Sequence, residues 1–206
     1  MCGRFVDPNM RSEGTDTSWL KINSFPRRYN IKPTNDVLVL AGEDEEPLMA
    51  RWWLIPSWFK GDDPKEWKAA TFNARIEEAK SKPSFRGAWR YGRCLIPAGG
   101  YYEWTGEKGS KQPHFFQSAT NEENLFFAGL LSVWNDMATC SIVTRAANKY
   151  VEPLHDRMPV ILGTGEREAW LGGADDPEFG QGARVKHHPV APFKIADEGV
   201  ELIEAD

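Results

Sequence analysis

At 206 residues, with 41% hydrophobic and 27% charged side chains, the chain is long enough to bury a core without disulfides or metal, and a formal net charge of -5 excludes a generally basic nucleic-acid binder. Three cysteines, at 2, 94 and 140, form no CxxC pair, which argues against a disulfide framework and a zinc ribbon, and no apolar stretch approaches the ~18 residues of a membrane span. The expected organisation is one domain over residues 1–206. Its expected place is the cytoplasm, nucleoid-associated in a prokaryote. Nine Trp and 14 Pro exceed what this length usually carries and favour strands and turns over long helices.

The chain opens on "MCGRF", where removal of Met1 would leave Cys2 with a free α-amino group beside its thiol. A first helix is expected near Thr17 to Asn23. "RYNIKPTN" puts Asn30, Pro33 and Thr34 in a turn ahead of a strand at Val37 to Leu40. A second strand covers Ala50 to Ile55 within "RWWLIPSW", where Trp52, Trp53 and Trp58 surround Pro56; such aromatics serve a core, or a flat platform for a base. Helices are expected at Ala74 to Lys80 and Ser84 to Arg90. Asn73 ahead of the first reads in isolation as an N-cap, and Arg75 falls on the first turn, where backbone N–H groups and a guanidinium can share a phosphate. Arg75, Lys80, Lys82, Arg86, Arg90 and Arg93 make this stretch locally positive, as a solvated face or a phosphate contact.

Further strands follow at Cys94 to Ala98, Phe115 to Phe116, Leu125 to Val133, Cys140 to Thr144, Val160 to Leu162 and Val200 to Ile203, with a helix at Glu166 to Leu171 and a Gly- and Asp-rich surface loop over 172–182. The expected fold class is α+β: a single domain with a largely antiparallel, barrel-like β-sheet flanked by a few short helices. In "CLIPAGGYYEW", Glu103 either faces water by strand alternation or points inward with a raised pKa and becomes a proton-transfer candidate. "EPLHDRMPVIL" sets His155, Asp156 and Arg157 in a loop stiffened by Pro153 and Pro159, a structural histidine or a catalytic one. His114, His187 and His188 read as surface or packing residues. No metal site is expected, since only the adjacent His187 and His188 come near ligand spacing.

Taken in order, "MCGRF", "RYNIKPT", "LIPSW", "NAR", "CLIPAGGYYEW", "IVTRAAN", "LHDRMP" and the closing "HPV" and "GVELIE" resemble the motifs of the SOS-response-associated peptidase (SRAP) family, also called abasic-site processing proteins. The resemblance spans essentially the whole chain. Two departures stand out: Trp53 where family members usually have Gly, and a tail "APFKIADEGVE" without an Asn that relatives tend to carry.

The resemblance implies a protein that attaches itself to abasic sites in single-stranded DNA through an N-terminal cysteine, forming a thiazolidine that shields the lesion. The chemistry is sound on its own grounds. An abasic sugar equilibrates with an open-chain aldehyde; an amine converts this to an imine, and the neighbouring thiol closes a five-membered ring. The α-amino group and thiol, with ordinary pKa values of about 7.7–8.0 and 8.5, need no strong base, and intramolecular closure carries effective molarities on the order of 10⁵ M.

By motif, the resemblance implies Cys2 as nucleophile, His155 as the acid that opens the sugar, and Glu103 as the carboxylate that moves amine and sugar protons and assists reversal. It implies Asn73 as the residue that positions the amine, Arg4, Arg75, Arg86 and Arg157 with Thr144 as phosphate contacts, and Trp52 and Trp53 as a stacking wall. No cofactor is implied. A monomer suffices, and a kinked single strand or a junction with duplex suits the contacts. Met1 leaves by a general aminopeptidase or by self-cleavage. Two other readings stay open: an amidase or protease using Cys2, and a non-covalent reader of single-stranded or modified DNA.

Overall fold

A computed structural model describes residues 2–8, 27–42, 44–107, 109–120 and 124–206. The expected helix at 17–23 lies outside them. In chain order the elements are β1 (Phe5–Val6), β2 (Asp36–Ala41), β3 (Glu46–Trp52), β4 (Asn73–Arg75), α1 (Ile76–Ala79), α2 (Arg86–Tyr91), β5 (Arg93–Ala98) and β6 (Gly100–Thr105). There follow β7 (Gln112–Ser118), β8 (Leu125–Trp134), β9 (Met137–Ala146), β10 (Arg157–Pro159), α3 (Thr164–Leu171) and β11 (Val185–Pro189). Single 3-10 turns lie at Pro64–Glu66 and Val200–Ile203.

Strands β9, β3, β2, β5 and β8 pair in that order, and β8 pairs back onto β9, which closes a five-stranded barrel. The α+β, barrel-like expectation holds. Alternation explains why its strands read as unbroken apolar runs: Val37 and Val39 of β2 pack in the barrel cluster with Trp52, Ile96, Phe127 and Ile142, while Leu38 and Leu40 pack outward with Trp89 of α2 and Trp170 of α3. Closure suits the sequence at two points. Asn135 and Asp136 take φ of 45° and 60°, the two-residue turn that joins β8 to β9 with the right twist. At Gly129 any Cβ would come 2.7 Å from Cys94 Sγ, so glycine is needed where β8 faces the interior.

A second, four-stranded antiparallel sheet runs β1, β6, β7, β11. One face joins Tyr101 and Phe116 to the barrel cluster. The other packs Tyr102 and Phe115 with Val190 and Leu202 from the C-terminal segment. Among the described residues no helix is long and apolar enough to cross a membrane.

Four local expectations need correction. Residues 73–75 are not the cap and first turn of a helix but the strand β4, held parallel to β9 with Asn73 opposite Ile142; α1 is the four-residue remainder. The strand at 50–55 begins earlier and ends at Trp52, short of Pro56. Of residues 160–162, only Ile161 makes an isolated bridge, to Phe127; the strand is the preceding triplet β10. Val200–Ile203 is apolar, yet it is a 3-10 turn that buries Leu202.

Candidate active site

The site forms where the second sheet meets the barrel. Phe5 exchanges backbone hydrogen bonds with Ile31 at 3.2 and 2.9 Å, β1 pairs with β6, and the Phe5 ring packs edge-on to Trp52 at 5.0 Å. This anchors the N-terminal segment within the barrel cluster and leaves Cys2 wholly buried. Its thiol donates only a long contact to Arg4 O, at 3.8 Å. Burial, helped by the Glu103 carboxylate, pushes the Cys2 thiol well above its ordinary range. From β4, Asn73 Nδ2 donates to Cys2 O at 2.7 Å, while Asn73 Oδ1 is buried with no hydrogen-bond partner among the described residues.

Glu103 points inward from β6 and is 4% exposed. Burial raises its carboxyl to about 7. His155 reaches it from the loop before β10, with Nε2 3.7 Å from Glu103 Oε2. His155 Nδ1 faces the Arg157 backbone, 2.9 Å from its N–H and 3.1 Å from its carbonyl oxygen, and lies 3.0 Å from Asp156 Oδ1. Burial holds the His155 ring below the ordinary imidazole range, with Asp156 acting against it. A carboxyl shifted up beside an imidazole shifted down is not a fixed ion pair.

Gly3, Arg4, Glu103, Trp104, Lys111 and His155 line an open cleft of about 410 Å³. Arg4 Nε donates to Asn30 Oδ1 at 2.9 Å, and Asn30 Nδ2 donates in turn to the carbonyls of Lys194 at 3.0 Å and Asp197 at 2.9 Å. Asn30 is therefore more than a turn residue: it ties the cleft arginine to the C-terminal tail. Lys111 and Trp104 also escaped the sequence reading. Neither carries a local signal, and only the β6–β7 pairing brings Lys111 beside Glu103.

The remaining expected contacts divide. Arg157 is half-buried and grips Glu77 with two bonds of 2.7 and 2.9 Å while donating to Thr144 O at 2.8 Å. Thr144 itself is fully buried, so it positions Arg157 and cannot touch a phosphate directly. Arg75 is exposed and lies 3.8 Å from Glu78, and Arg86 is exposed at the start of α2 with no bond to the cleft residues among those described. Within the positive stretch, Lys80 pairs with Asp175, and Lys82 shares Glu78 with Arg75, at 3.6 Å.

The stacking wall requires the clearest correction. Trp52 is fully buried and its Nε1 donates to Phe72 O at 2.7 Å, so no base can reach it; Trp53 is half-buried against Phe72, 5.4 Å away. Trp58 is the half-exposed aromatic of this run, held edge-on to Trp67 at 5.7 Å.

Residues 1–194 match the family model described as SOS response associated peptidase (SRAP). The abasic site processing protein YoqW of Bacillus subtilis is 35% identical over 194 residues, covering 87% of this chain and 84% of its own. The abasic site processing protein YedK of Escherichia coli is 29% identical over 233 aligned positions, covering 99% of each. Among solved structures, a protein from Bacteroides thetaiotaomicron shares the fold with a TM-score of 0.77 and 22% identity, over 98% of this chain and 99% of that one.

Proposed function

We propose, since the chain belongs to the SOS response associated peptidase family, that it processes abasic sites in single-stranded DNA by bonding to them through Cys2 once Met1 has left. The observation that carries this reading is the complete burial of Cys2, in the chain that still carries Met1, among groups suited to proton transfer. A thiol with no exposure is badly placed to attack a substrate that diffuses in. It is well placed to attack a carbon already attached to its own α-amine. That favours ring closure over an amidase or protease that turns over free peptides.

The steps follow from the residues. His155 and Glu103 open the sugar by moving protons to and from it, and so supply the aldehyde. The freed amine, set by the bond from Asn73 to Cys2 O and offered the unpartnered Asn73 Oδ1 as acceptor, adds to the aldehyde and loses water. The sulfur then closes the thiazolidine. Arg4 and Lys111 hold phosphate at the cleft, where Trp104 offers an aromatic wall. Such contacts read backbone and a missing base, so strand sequence has little effect.

Incubating the protein with an oligonucleotide that carries one abasic site should give a band on a denaturing gel. The band should be absent with a tetrahydrofuran analogue that cannot open to an aldehyde. No band with the true lesion overturns the proposal. His155→Ala should slow band formation by on the order of a hundred-fold and leave affinity for an intact single strand unchanged. Equal loss of rate and affinity would make His155 a binding residue instead.

A further inference from the structure

Tyr101 lies on β6 two residues before Glu103 and directly opposite Phe5 of β1. Its ring is fully buried, stacked on Phe116 at 4.9 Å and 12°, and shares the barrel cluster with Cys2. Its hydroxyl is buried and has no hydrogen-bond partner among the described residues. The adjacent Tyr102 shows the usual arrangement, donating its hydroxyl to Tyr29 O at 2.8 Å. A phenol left unpaired in a core costs stability that phenylalanine would not, so its retention asks for a use.

We propose that the Tyr101 hydroxyl is the donor held for the Cys2 sulfur during ring closure, an inference that rests on the crosslinking function above. In the resting site the sulfur donates weakly to Arg4 O and accepts no hydrogen bond among the described residues. Burial, with the charges of Cys2 and Glu103 adding to it, holds the Tyr101 hydroxyl well above its ordinary range, so it keeps its proton to donate. When the iminium has formed, the thiol proton passes first to the Glu103 carboxylate, and a lone pair of the resulting thiolate then makes the C–S bond as the C=N pair returns to nitrogen. The sulfur gains negative charge as its proton departs, in a pocket that opposes that charge. A hydrogen bond from Tyr101 offsets that opposition at the one moment it matters, because a donor to a charged sulfur is worth more than to a neutral one.

Tyr101→Phe keeps the ring and its stack, so it should fold with a melting temperature equal to or above that of the parent. Two rates are then read on abasic oligonucleotide. Reduction with cyanoborohydride traps the imine; heat-stable adduct formed without reductant reports the closed ring. The variant should trap imine at the parent rate and close the ring about ten-fold or more slowly. Closure at the parent rate overturns the inference. So does an equal fall in trapping and closure, which would mark Tyr101 as merely structural. If the parent chain forms neither product, the crosslinking function itself fails, and that result is distinct from both.

Discussion

Cys2→Ala forms no heat-stable adduct with an abasic strand, while its folding and its affinity for intact single-stranded DNA stay close to those of the parent. The expectation separates two nucleophiles that sit on one residue. Alanine at this position still presents an α-amine after Met1 removal, so reductive trapping should yield an imine-derived band; what disappears is the product that survives without reduction. Loss of the buried sulfur leaves a small void and costs on the order of 1 kcal/mol, too little to unfold the domain. Heat-stable adduct in Cys2→Ala, with no reductant present, would rule out a thiazolidine. Loss of reductive trapping as well would move the amine's role elsewhere.

Glu103→Gln should make the protein more stable and less active, and only the stability gain should depend on pH in a defined direction. The folded carboxyl sits at about 7 against an ordinary 4.5, because burial disfavours its charge. Between those values the folded chain binds more protons than the unfolded one, so its stability falls as pH rises from 4.5 to 7 and then levels off. A glutamine carries no such penalty. At pH 8 the variant should therefore be more stable by on the order of 2 kcal/mol, a melting temperature several degrees higher, with little difference near pH 4.5. Thermal melts at both pH values check this. A gain of equal size at both would assign it to packing, not to ionisation. Adduct formation should slow by on the order of a hundred-fold across the range, as expected when a group that moves protons is lost.

Much of the barrel was legible because its strands are buried on both faces. "VLVL" of β2 and "CLIPA" of β5 present apolar side chains at every position. Where burial was one-sided the pattern failed: "VKHHP" of β11 is mostly polar and becomes a strand only by pairing with β7. The cap expected at Asn73 followed a sound local rule that parallel pairing with β9 overrode. In the site, the motifs picked out Cys2, Asn73, Glu103 and His155, and the fold brings these four together. Residue type alone could not tell Trp52 from Trp58, since a tryptophan in a core and one at a surface are the same letter beside the same proline. Asn30 and Lys111 stayed hidden for another reason. Asn30 works through carbonyls more than 160 residues away, and Lys111 through a hairpin whose register no single stretch displays.

The seclusion of the Cys2 sulfur also bears on how long the protein lasts. On the proposed chemistry each molecule reacts once, so it must wait, intact, for a lesion. Peroxide attacks thiolates that solvent can reach, and in the chain that still carries Met1 this sulfur is neither exposed nor readily ionised. Cys94 and Cys140 are likewise free and fully buried, which removes nearby exposed partners for an accidental disulfide. The same walls that slow the thiol's ionisation thus act as a preservative, keeping a single-use reagent fresh in the oxidising conditions that damage DNA.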